Sequence, residues 1–389
     1  MTTKSRQRGS SIQRVELASG PRWRFRIDLE PGPDGDRRQR TLTYKTEREA
    51  VTAQARIRAQ ISARMYTEPS KISVDEYLDT WMATSERSWR WSTHRSYLLA
   101  VKPAREAFGS KRLQAVTRAD LESLVTKMLS TGGPHGTGRS PRTVALLLTI
   151  LRKAFQEAMA DDLIPRNVVD RVAKPKTQQR EMATWTAEQA RVFLDRVEED
   201  PLVGLWHLTM RGLRRGEVMG LRWGDIDLDR AVVHIRQARV QAGREIRVGP
   251  PKTARGLRDI ELDFAAVDAL RKTRERTLGA EVVPLRQEGS GDGLSERLVA
   301  VNAAGEPLHP EVYSDAFSRH ARSADLPPIR LHDARHTALT LLLEQGTPVH
   351  VVARFAGHDP SVTLRTYAHV SDTAMAVAAD ALGALYARR

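Results

Sequence analysis

The stretch from 331 to 369 constrains this chain more than any other. It reads Leu331-His332-Asp333-Ala334-Arg335-His336-Thr337, then Gly357-His358, then Thr366-Tyr367-Ala368-His369. Side chains three residues apart lie on one face of a helix, so His332 and Arg335 point the same way. A second histidine, His358, and a tyrosine, Tyr367, follow at short range. Together they can gather positive charge and proton carriers around a tyrosyl hydroxyl. Attack of tyrosine on a phosphodiester needs that set.

The charge balance agrees. The chain carries a formal net charge of +14 over 389 residues, with 51 arginines and eleven lysines. A basic chain of this size most often meets nucleic acid. The planar arginine fork suits phosphates and guanine edges. A GC-rich genome also raises arginine use, so the net charge carries the inference and the arginine-to-lysine ratio adds little. Cysteine is absent. Disulfides, thiol catalysis and cysteine-ligated zinc are thereby excluded together. No run of about eighteen apolar residues occurs, so no membrane span is expected. Met1 to Ser11 is polar and basic without an apolar centre, so no secretory signal is expected and a cytoplasmic location is.

The pattern predicts a mainly α protein with small β-sheets. Residues 1–66 read as a separate α+β module. Trp23, Phe25, Ile27 and Leu29 alternate with Arg24, Arg26, Asp28 and Glu30, which has the period of a strand. A Pro-Gly turn and a second strand over 40–45 follow. Thr46 with Glu49 forms a capping box that opens a helix to about Tyr66. A sheet so rich in arginine could lie in a DNA groove, with Arg24 and Arg26 as contacts; the plainer reading is a small domain with a solvated basic face.

Residues 71–172 read as helical. Ser73 with Glu76 and Thr117 with Asp120 supply caps. Val144, Leu147, Leu148, Leu151 and Phe155 form a core-facing stripe. Basic and hydroxylated residues between the stripes are candidate phosphate contacts. Arg142 and Thr143 are the best of these, because they open a helix, and helix N-termini favour phosphate. Residues 173–182 form a basic linker in which Lys174 and Lys176 could track a DNA backbone. Thr186 with Gln189 then caps the first helix of a last domain, 183–389.

In that domain Gly212-Leu213-Arg214-Arg215-Gly216-Glu217 places an arginine at a tight turn entering a helix. Strands are suggested at 231–235, 245–248 and 257–262. Lys252, in Gly249-Pro250-Pro251-Lys252-Thr253, is expected at a hairpin tip. With these residues the chain resembles the tyrosine recombinases of the phage integrase family. The ordered set is Arg214, Lys252, His332 with Arg335, His358 and Tyr367, spread over the last domain. Regions 1–66 and 71–172 resemble, less specifically, the arm-type and core-binding DNA domains of heterobivalent integrases.

The resemblance implies a site-specific recombinase that cleaves and rejoins DNA through a 3′-phosphotyrosyl intermediate, without ATP, cofactor or metal. Tyr367 would be the nucleophile and Lys252 the acid for the departing 5′ oxygen. Arg214 and Arg335 would bind the nonbridging oxygens through paired N–H groups. His332 would accept the tyrosyl proton, since a hydroxyl of pKa about 10 needs help to ionise. His358 would bond the phosphate, with Glu217 orienting Arg214 or His332. The partners implied are double-stranded DNA with core-type and arm-type sites, and three further copies in a DNA-bound tetramer. An excision factor and a host DNA-bending protein are further candidates, in a bacterial host and with no membrane. An alanine-rich helix from Asp372 to Tyr386 could dock on its own domain or on a neighbour.

The same residues admit rival readings. His332 and His336, four apart, resemble half of a zinc helix, but Asp333 replaces the usual glutamate and Arg335 repels a cation. A type IB topoisomerase shares the chemistry but not the separate basic N-terminal module. A DNA binder that no longer cuts would not need all six positions. Tyr313 and Tyr386 compete with Tyr367 as nucleophiles, though neither follows a Gly-His pair, and Tyr386 reads as a packing residue.

Overall fold

A computed structural model describes residues 12–29, 36, 38–63, 66–133, 136–177, 182–243, 245–279, 295–367 and 386. It divides into two compact units, 1–178 and 179–389. No described helix is long and apolar enough to cross a membrane.

The first unit opens with three antiparallel strands, β1 (Gln13–Leu17), β2 (Gly20–Asp28) and β3 (Gln39–Tyr44), in the order β1-β2-β3. Alternation along β2 buries Phe25 and Ile27 against Ala50, Ala53 and Ile57 of α1 (Glu47–Ser62). The same alternation turns Arg24 and Arg26 to the opposite face, where Arg24 pairs with Thr43 and Arg26 with Thr41. The Thr46–Glu49 capping box that the sequence predicts is present, each backbone N–H meeting the other's side chain at 3.2 Å. Strand β1 is additional to the two strands that the sequence predicts for this module. It puts no residue into the core, so its sequence carries no apolar period to read.

Four helices follow: α2 (Val74–Ser85), α3 (Trp91–Phe108), α4 (Arg118–Ser130) and α5 (Pro141–Ala160). They enclose a second core, separate from that under the sheet. The predicted stripe on α5 is buried throughout, from Val144 to Phe155. Tyr77 on α2 donates to the Ala154 carbonyl at 2.6 Å. Both predicted caps, Ser73–Glu76 and Thr117–Asp120, are formed.

The second unit begins with α6 (Ala187–Arg196), capped by Thr186 and Gln189, and α7 (Val203–Met210), whose every residue is buried. Next come α8 (Arg215–Gly220), β4 (Ile226–Asp227), β5 (Val232–Ile235), β6 (Ala238–Ala242), β7 (Glu245–Gly249) and β8 (Arg258–Glu261). These strands form two sheets. One has the order β4-β5-β8, and the other is the β6–β7 hairpin. Helices α9 (Phe264–Gly279), α10 (Pro310–Ser323), α11 (Leu331–Glu344), α12 (Val349–Ala356) and α13 (Pro360–Tyr367) complete it. The core is aromatic: Trp206 stacks on Tyr313 with ring centres 4.1 Å apart, and Trp185, Phe193 and Phe317 close around them.

The Leu148 side chain is fully enclosed. Truncation to alanine should destabilise the first unit by about 2–5 kcal/mol, the usual loss for a large core aliphatic. Urea unfolding of the full chain reads this; a loss under about 1 kcal/mol would mean the α5 stripe is not core.

Candidate active site

Arg214 is the N-cap of α8. Its backbone is extended, so its side chain leaves the helix start sideways. The turn before it depends on Gly212, whose φ of +84° is strained for any residue with a Cβ. Glu217, one helical turn on and 2% exposed, reaches back. Its Oε1 accepts from Arg214 Nη1 at 2.7 Å and its Oε2 from the Arg214 backbone N–H at 2.9 Å. Of the two orientations expected for Glu217, the structure shows that toward Arg214. Arg214 Nη2 donates to the Gly357 carbonyl at 3.2 Å.

His332 and Arg335 lie in the first turns of α11, whose start is tied by Arg330 to Asp333. Arg335 is 1% exposed. It donates to the carbonyls of Gly212 and Ala356, and through Nη2 to His358 Nε2 at 3.0 Å. Arginine cannot accept, so Nε2 is the acceptor and the proton of the neutral His358 ring sits on Nδ1. That Nδ1 is buried and has no partner among the described residues. His358 stands just after Gly357, the left-handed residue that ends α12 at φ +62°. A Cβ there would come within 2.8 Å of the Arg255 carbonyl. Conformation and space both demand glycine.

Burial, then the charges of Arg335 and Arg214, pushes His358 down to about 4. His332 is also held at about 4, first by desolvation and then by His336 and Arg335. As a whole His332 remains exposed, so water screens part of that effect. Both rings are therefore neutral at pH 7. Burial alone would raise the Glu217 carboxyl, but the hydrogen bonds and charge of Arg258, then the charge of Arg214, hold it at about 2.

Arg258 had no expected role. It lies on β8 and grips Glu217 with both Nη1 and Nη2 at 3.0 Å. The signal was present in the sequence: Arg258, Ile260 and Leu262 share one strand parity, so a cation stands where an apolar residue belongs.

Lys252 corrects one expectation. It is not at a hairpin tip: β7 pairs with β6 and β8 with β5, so the connection holding Lys252 joins strands of two different sheets. The residue is exposed, at a bend. Tyr367 ends α13, and its side chain lies outside the described residues, as do 372–385 of the expected C-terminal helix. Tyr313 is removed as a rival nucleophile. It is fully buried, its hydroxyl is paired with Thr209 at 2.7 Å and donates to the Leu205 carbonyl at 3.0 Å, and burial pushes it well above the ordinary tyrosine range. Tyr386, read as packing, is 78% exposed. Arg142 and Thr143 occupy the first turn of α5, exposed, behind the Ser140 cap. Lys174 and Lys176 are exposed. His332 and His336 meet edge to face with ring centres 5.0 Å apart. Among the described residues no third His, Cys, Asp or Glu joins them.

Two arginines and His358 are thus gathered on the Gly212 and Gly357 turns of a mainly helical unit, with His332 exposed on α11. Residues 202–374 match the model of the phage integrase family. The ICEBs1 integrase of Bacillus subtilis is 23% identical over 366 residues, covering 92% of this chain and 96% of that protein. The Tn1549 transposon integrase, solved with transposon right end DNA, superposes with a TM-score of 0.66 at 20% identity, over 80% of this chain and 100% of that one. The lambda integrase, solved as a tetramer bound to a Holliday junction, gives 0.55 at 18%, over 89% and 95%. Residues 202–374 thus carry a phage integrase family domain, and over most of its length the chain is similar to integrases and tyrosine recombinases.

The depressed histidines set a pH dependence. Each binds its proton more weakly folded than unfolded. The stability they lend is complete above the ordinary histidine value of about 6.5 and is lost as pH falls from there toward 4. The unfolding temperature should fall across that window, and less so in His358→Gln; an unchanged pH slope in that variant would contradict the assignment. Gly357→Ala should cost about 1–3 kcal/mol through backbone strain and crowding, measured by thermal unfolding.

Proposed function

We propose that this recombinase cuts and rejoins double-stranded DNA at specific sites through a 3′-phosphotyrosyl link, integrating and excising a mobile element. The observation that carries the reading is Arg335. Its guanidinium is almost wholly buried, yet it ties the Gly212 turn, the end of α12 and His358 into one cluster beside Arg214. Charge gathered in this way, ordered before any ligand arrives, stabilises the oxygens of a pentacoordinate phosphoryl group without reorganisation.

Tyr367 attacks the phosphorus, and its proton passes to His332. The bond from phosphorus to the 5′ oxygen breaks, and Lys252 protonates that oxygen. Arg214 and Arg335 bind the nonbridging oxygens, and His358 donates to one of them from Nδ1. The link then keeps the energy of the broken bond, so a 5′-hydroxyl of another strand can reverse the step without ATP. No metal is assigned a part.

The chain as a whole serves the same end. Residues 1–66 take an arm-type site through the Arg24 and Arg26 face of their sheet. Residues 71–172 take a core-type site, with Arg142 and Thr143 on phosphate. Residues 173–182 carry Lys174 and Lys176 along the backbone, and 183–389 perform the chemistry. Exchange between two duplexes needs four nucleophiles, so the working form is a tetramer on DNA; the tetrameric state of the lambda integrase supports this. An excision factor and a DNA-bending host protein would set direction. The setting is the DNA of a bacterial cell.

Covalent trapping tests the reading. With a site from its own element, in EDTA, the parent should form an SDS-resistant adduct with DNA and Tyr367→Phe should not. Arg335→Lys should bind DNA but form the adduct about 10²–10³-fold more slowly, as loss of one preorganised oxyanion donor does. Salt-sensitive binding with no adduct in the parent would leave a DNA binder that does not cut.

A further inference from the structure

Arg258 lies on β8 with Nε, Nη1 and Nη2 all engaged by the Glu217 carboxylate and by the Phe355 and Gly256 carbonyls. We infer that Arg258 is a positioning residue of this recombinase, which aims the Arg214 guanidinium through Glu217 and holds the turn carrying His358 against it. The inference rests on the reading of Arg214 as a catalytic arginine.

The geometry is shared oxygen by oxygen. Glu217 Oε1 accepts from Arg258 Nη1 at 3.0 Å and from Arg214 Nη1 at 2.7 Å. Glu217 Oε2 accepts from Arg258 Nη2 at 3.0 Å and from the Arg214 backbone at 2.9 Å. A carboxylate has about four acceptor positions. All are in use, so it cannot swing without breaking a bond to one arginine. Arg258 also donates from Nε to the Phe355 carbonyl at 2.8 Å and from Nη1 to the Gly256 carbonyl at 3.1 Å. Phe355 is two residues before Gly357, whose own carbonyl takes Arg214 Nη2. One buried guanidinium thus reaches both supports of Arg214. Gly357 leaves it room: an added Cβ would lie 3.1 Å from Arg258 Nη1.

A lysine would keep the charge but lose the fork, and could not serve two carboxylate oxygens and two carbonyls at once. A glutamine would leave Glu217 with one cation. The charged groups facing Glu217 are Arg214 and Arg258. Arg239, on the β6 strand that packs against α8, is turned instead to the Met219 and Leu308 carbonyls.

The test has two arms, both on the full chain. The first follows the Glu217 carboxyl by NMR in free protein and needs no cleavage. In the parent it should stay ionised down to about pH 3.5, and in Arg258→Gln it should take up a proton near or above the ordinary glutamate value of about 4.3. An unmoved titration would overturn the inference. The second arm is the rate of Tyr367 adduct formation. Arg258→Lys should slow it about 10- to 100-fold, the scale of a small misplacement of a reacting group, with DNA affinity held within about twofold. Arg258→Gln should shift the acid limb of its pH–rate profile upward. The double variant Glu217→Gln with Arg258→Gln should be no slower than Glu217→Gln alone. A parent-like rate in Arg258→Lys, or additive losses in the double variant, would overturn the inference. A parent that forms no adduct while the Glu217 titration moves as expected would overturn the recombination chemistry and leave the clamp standing.

Discussion

The site is organised around one carboxylate. Glu217 is 2% exposed and sits between two guanidiniums. Removing such a charge from water costs several kcal/mol unless partners with good geometry offset it. Here they do, since each oxygen serves both arginines. The burial that makes the carboxylate costly also makes it selective, because only two cations with these directions satisfy it. Arg214 is thereby fixed before any DNA is present, and α8, β8 and the end of α12 are drawn to one place. Arg335 repeats the device with neutral acceptors, joining α11 to the Gly212 and Gly357 turns.

The catalytic roles divide along the same line. The groups that would receive negative charge are pinned, Arg335 buried and Arg214 and His358 half-buried. Those that would move protons are not: His332 is exposed, and Lys252 lies in a connection between separate sheets. Charge stabilisation gains from rigidity, because its benefit lies in not having to reorganise. Proton transfer to a departing oxygen gains from reach.

Much of this was legible in the sequence. The capping boxes at Thr46, Ser73, Thr117 and Thr186 and the apolar stripe of α5 depend on neighbours within a turn or two, and they appear where the pattern put them. Of the six-residue set, Arg214, Arg335 and His358 stand together in the structure, while Lys252 is exposed between two sheets and the Tyr367 side chain lies outside the described residues. What was missed depends on contacts distant in sequence. Strand β1 has no buried residue to give it a period. The partner of β7 is β6 rather than β8, and only sheet pairing decides that, so the sequence pattern alone suggests a hairpin tip at Lys252. Arg258 was readable from parity, but its meaning needed Glu217, 41 residues away.

Five of the acceptors that aim the three buried or half-buried arginines are main-chain carbonyls, at Gly212, Gly256, Phe355, Ala356 and Gly357. A carbonyl belongs to the backbone and is indifferent to the side chain beside it. Phe355 and Ala356 are therefore constrained by their packing in the core and not by the bonds their oxygens accept. Gly212 is tied to its identity by φ, Gly357 by φ and space, and Gly256 by space, since a Cβ there would lie 2.5 Å from Pro251 Cβ. A site built on such acceptors can hold its geometry while the sequence around it drifts, so chains alike at only about a fifth of their positions can still present the same fold.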